Sequence, residues 1–345
     1  MSGTPAVRRR LDRRTLGSVG VAWLAAATLF LAVSLISPGF ASPAHVGTLI
    51  IGASFIGIVA IGQTFVIIGG GIDLSVPWTL NAAAMLVTAL TRSDDAALVW
   101  AVPLILLGGA AVGAINGAGI ARLGIPPIVM TLSMNVVLQG LLLVVTRRFP
   151  PPPSPAALQF LANGRIGGIP VMLGLWLILT VVVLIVERRT AFGRFLYATG
   201  SDPTVATLSG VPVARVRFLT YVISGTTAAL AGILLAGYAK QSYLGMGNPF
   251  LFTSIAAVAI GGASILGGTG SYLGTVAGAL ILTILTGLLP IFRLDDGALR
   301  VIYGLVILGT VALAAPQVRG LIGRYRMRGA AGTAATEGPT TGGAP

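Results

Sequence analysis

The chain has 345 residues, 55% hydrophobic and only 9% charged, with 22 lysines and arginines against nine acids for a formal net charge of +13. A soluble domain carries charge on about a quarter of its positions, so this composition and a mean hydropathy of +0.94 mark a membrane-embedded protein. The lack of cysteine excludes disulfides, thiolate metal sites and thiol nucleophiles, and the positive charge is read as membrane topology rather than nucleic-acid binding.

Residues 1–15 form a basic N-terminus with five arginines, followed by an apolar run from Leu16 to Ile36. That run exceeds the 7–15 residues of a secretory signal core, so it is predicted as a first transmembrane helix with a cytosolic anchor. Further apolar segments fall at 46–68, 77–90, 98–120, 127–146, 170–186, 218–238, 250–267, 271–290 and 298–315. The expected fold is therefore all-α, a polytopic membrane bundle of about 10 transmembrane helices over residues 16–315. With the N-terminus inside, fifteen of the 22 basic residues fall in cytosolic segments and seven outside, which places both termini in the cytosol. Residues 316–345 are a basic cytosolic segment ending in a small, polar tail expected to be disordered.

The second and third segments are joined by IGQTFVIIGGGIDLSVPWTLN, residues 61–81. From Pro77 to Leu90 a helix rises only about 21 Å, short of the roughly 30 Å hydrocarbon core. The turn at Gly69, Gly70 and Gly71 must then lie partly within the membrane, breaking the helix near residues 69–76. Pro77 suits the first turn of the following helix, whose positive end Asp73 would face. Asp73 and Ser75 either cap that helix at the cytosolic interface or belong to a hinge or gate beside a translocation path, and the two roles are compatible. Ion coupling through Asp73, as in a secondary transporter, is the alternative.

Along the fifth segment Thr131, Asn135 and Gln139 recur every four residues, so they share one helical face. With Gln63, Thr64, Asn81 and Asn116 they offer neutral donors and acceptors. These suit a hydroxyl-rich neutral solute, or serve hydrogen bonds between helices. Outside, residues 147–169 carry a proline run that cannot continue the preceding helix. Inside, residues 187–217 read as a docking surface. Within it Ser201 or Asp202 is a candidate N-cap, Pro203 the first helical residue and Gly210 the stop. The glycine-rich stretch from Ser254 to Leu282 echoes Val66–Val87, pointing to an internal repeat. There is no GxxxxGK[ST], no HExxH and no nucleophile–base constellation, so neither an ATP site nor catalysis is expected in this chain, nor a metal or cofactor of its own.

Four stretches in order carry a resemblance: Gly62–Val76 (GQTFVIIGGGIDLSV), Ile125–Thr146 (IPPIVMTLSMNVVLQGLLLVVT), Gly193–Val216 (GRFLYATGSDPTVATLSGVPVARV) and Ser254–Leu280 (SIAAVAIGGASILGGTGSYLGTVAGAL). In these the chain resembles permease subunits of the ribose-type sugar ABC importers, within the branched-chain amino acid/ribose permease superfamily. The resemblance implies a bacterial plasma-membrane protein working with a second permease subunit (homo- or heterodimer), a cytosolic ABC ATPase that binds ATP and magnesium, and an extracytoplasmic sugar-binding protein. It assigns ATPase coupling to Gly193, Arg194, Gly200, Leu208, Ser209 and Gly210. The chain departs from the pattern at Val76-Pro77-Trp78 after IDLS and in its long external proline run.

Overall fold

A computed structural model describes residues 5–146, 151–292, 297, 300–305 and 308–309. Twelve helices are named among them: α1 (Pro5–Ile36), α2 (Pro43–Ile68), α3 (Val76–Thr91), α4 (Leu98–Arg122), α5 (Pro127–Thr146), α6 (Ala156–Asn163), α7 (Val171–Arg189), α8 (Ala191–Ser201), α9 (Pro203–Leu208), α10 (Val213–Tyr238), α11 (Phe250–Ile260) and α12 (Tyr272–Phe292). The predicted span at 298–315 and the tail at 316–345 fall largely or wholly outside the described residues.

Six helices are long and apolar enough to cross a membrane (α1 from Gly17, α2, α4, α5, α7 and α10), while α3, α11 and the apolar part of α12 are shorter. The chain is thus a polytopic helical membrane protein. Helix α2 is apolar on every side and lies at the centre, with 89% of its apolar stretch buried against 11% for α5. Helix α10 packs along α4, α3 and α2. A helix apolar all round needs protein or lipid on every face, and the outward faces of α1, α4, α5 and α7 stay exposed.

The expected break between α2 and α3 is present and has a defined geometry. Gly70 takes φ +83°, its N–H donates to the Ile67 carbonyl, and the Gly71 N–H reaches back to Val66. This is a Schellman ending, which needs a left-handed residue and so selects glycine. Of the three glycines only Gly70 is left-handed.

A second break replaces part of a predicted span. The segment expected at 250–267 stops at Ile260, where Gly262 takes φ +87°, donates to Ala259, and is followed by Ala263 donating to Val258. Val-x-Ile-Gly-Gly thus ends both α2 and α11 with the same hydrogen bonds, so the sequence echo corresponds to a shared local structure. At 11 residues, α11 rises only about 17 Å, and residues 261–271 turn back toward α12.

The connections gather at two ends. At one, the Ser154 N–H donates to the Lys240 carbonyl and Ala157 to Asp95, while Asn163 bonds the Gly237 and Tyr238 carbonyls. The connection after α5 continues into α6 and a short hairpin, Arg165–Ile166 paired with Ile169–Pro170. At the other end lie both glycine breaks, the α4–α5 turn and helices α8 and α9.

Candidate functional site: a glycine junction at one end of the bundle

The first break is held by a compact polar cluster. Asp73 is 1% exposed. Its Oδ1 accepts the Ser75 N–H at 2.9 Å and the Ser75 hydroxyl at 2.6 Å, and its Oδ2 accepts the Ser224 hydroxyl of α10 at 2.7 Å. Ser75 Oγ in turn accepts Asn116 Nδ2 of α4 at 2.9 Å. From α5, Thr131 Oγ1 accepts the Leu74 N–H at 3.0 Å and lies 2.8 Å from the Pro127 carbonyl, to which it donates.

The strap between α2 and α3 is therefore pinned to α4, α5 and α10 by side chains far apart in sequence. Asp73 does not cap the free N–H groups inside α3. The N-cap residue is Ser75, whose side chain makes no cap bond, and the carboxylate instead fixes the strap across to α10. Ordinary ionic recognition of a carboxylate uses a cation, whereas the partners here are neutral donors.

The other residues expected along a path divide by how their polar atoms are used. Gln63, on α2 above the break, is fully buried with both amide atoms unpartnered among the described residues. Asn135 has a buried, unpartnered Oδ1, and Gln139 on the same face of α5 is half-buried. Asn81 is engaged: its Nδ2 donates to the Tyr243 carbonyl at 3.2 Å and its Oδ1 accepts the Gly245 N–H at 3.3 Å, clamping the α10–α11 connection onto α3. A half-open cavity of about 190 Å³ opens beside the strap, lined by Gly70, Gly71, Ile120, Pro126, Arg217 and Tyr221. Among the described residues no group of His, Cys, Asp or Glu is placed to hold a metal.

The 187–217 connection folds as the sequence predicts in its second half. Asp202 caps α9, its Oδ1 accepting the Thr204 and Val205 N–H groups at 2.8 and 3.0 Å, Pro203 opens the helix, and Gly210 at φ +80° follows its end. The six residues that the resemblance assigns to coupling fall into two sets. Arg194, Leu208, Ser209 and Gly210 face outward, with Leu208 85% exposed. Gly193 and Gly200 face inward. A Cβ on Gly193 would collide with the Glu187 carbonyl, and one on Gly200 with the Ile68 carbonyl and, at 2.6 Å, the Gly268 nitrogen.

That last contact defines the site. The Gly268 N–H donates to the Ile68 carbonyl at 2.9 Å, and a Cβ on Gly267 would lie 2.9 Å from both the Gly200 carbonyl oxygen and the Gly70 Cα. The end of α8 is thus stacked backbone to backbone on both interrupted helices. Sequence reading missed the partners that complete this end, namely Ser224, Tyr221, Gly267, Gly268, Tyr197 and Glu187. A lone glutamate closing an apolar run was the one visible signal for Glu187.

A buried central helix, two glycine-interrupted helices and a short helical connection stacked on both breaks define a membrane transport subunit. Residues 45–314 match the branched-chain amino acid transport system permease component family, and the chain belongs to that family. It is 34% identical over 290 residues to the ribose import permease protein RbsC of Bacillus subtilis, covering 83% of this chain and 89% of that one. It is 31% identical to the autoinducer 2 import system permease protein LsrD of Photorhabdus temperata, covering 88% and 96% of the two chains. It is 33% identical to the probable ABC transporter permease protein YphD of Escherichia coli, covering 83% and 86%. No solved structure matches significantly. The chain is accordingly a permease subunit of the ABC importer class, a transport component whose energy comes from ATP hydrolysed in a partner subunit.

Proposed function

We propose that this chain forms, with a second permease subunit, the path by which a monosaccharide or related polyol enters a bacterial cell across the plasma membrane. The observation that carries the reading is the junction of Gly200 with the Ile68 carbonyl and the Gly268 N–H, because it joins a solvent-facing helix pair to both interrupted helices without an intervening flexible side chain. ATP and magnesium bind the cytosolic ATPase, which docks on Arg194, Leu208, Ser209 and Gly210. Closure of the ATPase moves α8, and Gly193 and Gly200 pass that motion to the breaks. Gly70, Gly71, Asp73 and Ser75 form the hinge or gate, and Gln63, Thr131, Asn135 and Gln139 offer transient contacts to solute hydroxyls, with Asn81 holding α3 in place. Selectivity resides in an extracytoplasmic sugar-binding protein.

Both termini lie in the cytosol, which puts the glycine junction at the cytosolic end and α6 with its hairpin outside. Residues 1–15 are the basic anchor, 16–315 the permease domain with its coupling segment at 187–217, and 316–345 the cytosolic tail. Sugar rather than amino acid as solute is supported by relatives named for ribose and autoinducer 2 import and by the neutral character of the unpartnered buried groups.

The test is reconstitution of the chain into proteoliposomes with its ATPase and with the binding protein encoded beside it. Uptake of labelled ribose and a panel of pentoses, hexoses and inositol is measured with and without ATP. ATP-dependent uptake of one of them is expected. Uptake that needs no ATPase and follows a proton or sodium gradient would instead establish Asp73-linked secondary transport.

A further inference from the structure

Glu187 is the last acidic residue before α8 and is 5% exposed at the end of a membrane helix. Burying a carboxylate there is costly unless donors surround it, and its two oxygens are used in two directions. Oε1 accepts the Tyr197 hydroxyl of α8 at 2.8 Å, and that hydroxyl also lies 2.8 Å from the Gly270 carbonyl in the second break. Oε2 accepts the Tyr272 N–H at 2.9 Å. Tyr272 is the first residue of α12, so the carboxylate sits at the positive end of a helix whose first N–H groups have no partner within the helix.

The Tyr272 side chain extends the connection inward. Its hydroxyl donates to the Gly57 carbonyl of α2 at 3.0 Å and accepts Trp176 Nε1 of α7 at 3.0 Å. A Cβ on Gly57 would in turn meet the Trp176 ring. One carboxylate therefore links α7, α8, the second break, the start of α12 and, through Tyr272, the middle of the central helix.

We propose that Glu187 is a positioning residue for energy coupling: its carboxylate makes α8 and the start of α12 move as one body, so that displacement of the docking surface reaches the second glycine break. The proposal rests on the permease reading above and adds to it a second transmission route, distinct from the Gly200 junction. Methionine in place of glutamate keeps the length of the side chain but offers a strong acceptor neither to the Tyr197 hydroxyl nor to the Tyr272 N–H. Glu187→Met thus severs both arms, while Tyr197→Phe severs the α8 arm alone.

The experiment uses the full-length chain assembled with its ATPase in nanodiscs. The protein has no cysteine, so Ala191→Cys on α8 and Leu266→Cys in the second break, both exposed, give a clean pair for spin labels. Their separation is measured by pulsed dipolar spectroscopy without nucleotide and after trapping with ATP, magnesium and vanadate, and ATPase turnover is measured on the same samples. With Glu187 present the separation is expected to stay constant on trapping. With Glu187→Met it shifts and broadens, and ATPase turnover per assembled complex falls about tenfold, the factor one charge-assisted hydrogen bond is worth. Tyr197→Phe gives the same shift, and the double variant is no worse than the more affected single one.

If both single variants keep the parent separation in both states, Glu187 is no strut and the proposal falls, with the permease reading intact. If the unsubstituted chain fails to assemble with an ATPase, the permease reading itself falls. A purely structural role would lower the yield of assembled complex and leave separation and turnover per complex unchanged, which also overturns the proposal.

Discussion

The Gly268 N–H donates to the Ile68 carbonyl at 2.9 Å, so the glycine turn that interrupts one helix is hydrogen-bonded to the end of the other interrupted helix. Gly200 closes against the same pair of atoms. Three segments spread over some two hundred residues of sequence thus share one backbone contact. Side-chain hydrogen bonds tolerate rotamer change, whereas backbone stacking at this distance passes a displacement with little slack.

Gly200→Ala tests that stacking. The added methyl has no free space toward the Ile68 carbonyl or the Gly268 nitrogen, so α8 must separate from the breaks. A loss of about 1–3 kcal/mol in stability is expected from overpacking, together with ATP hydrolysis that no longer drives uptake. Thermal unfolding in nanodiscs and uptake per ATP hydrolysed check the two parts.

Asp73→Asn and Ser224→Ala separate anchoring from gating. Each disturbs the Asp73–Ser224 bond, and removing a partner from a buried acceptor costs about 1–3 kcal/mol. Both variants are expected to reach the membrane at reduced stability. Asp73→Asn, which also weakens the two bonds from Ser75, is expected to lose most uptake. Quantitative immunoblotting of membranes alongside labelled-ribose uptake measures this, and normal uptake would reduce Asp73 to a structural anchor.

Gln63→Leu is expected to stabilise the protein while impairing it. Both amide atoms are buried and unpartnered, and leucine of similar volume removes that penalty, a gain of about 1–3 kcal/mol. A melting temperature that rises while uptake falls would identify Gln63 as a group kept for the solute, since stability gained at functional positions commonly costs activity. A rise with unchanged uptake would remove it from the path.

Leu208→Asp addresses the proposed docking surface. An 85% exposed side chain contributes little to the fold, so stability should change by less than about 0.5 kcal/mol. Co-purification of the ATPase should fail. Retained binding would move the docking surface off α9.

Much of the fold was legible in the sequence because membrane insertion imposes long, uninterrupted apolar runs. The first break was readable from three glycines beside Pro77, and α9 from its cap, proline and glycine stop. The eighth span was misjudged in length because residues 261–267 remain apolar enough to continue a run, while the Gly261–Gly262 pair ends the helix through backbone geometry that hydropathy does not register. Of the candidate site, Asp73, Ser75, Thr131 and Asn116 were each singled out in the sequence, but only Asp73 and Ser75 were read together, and Ser224 was not found. Serine and asparagine occur in membrane helices wherever two helices bond, so neither type marks its partner.

The sequence by itself determined that this is a helical membrane protein, where its first helix break falls and where α9 starts and stops. Those properties depend on local composition, glycine and proline placement and caps, all of which act within a few residues. Only the tertiary structure decided that both breaks meet Gly200, that Asp73 is anchored by Ser224, and that Glu187 joins α8 to α12. These contacts bridge up to about two hundred positions and depend on how buried helices pack side by side, so no short stretch of residues encodes them.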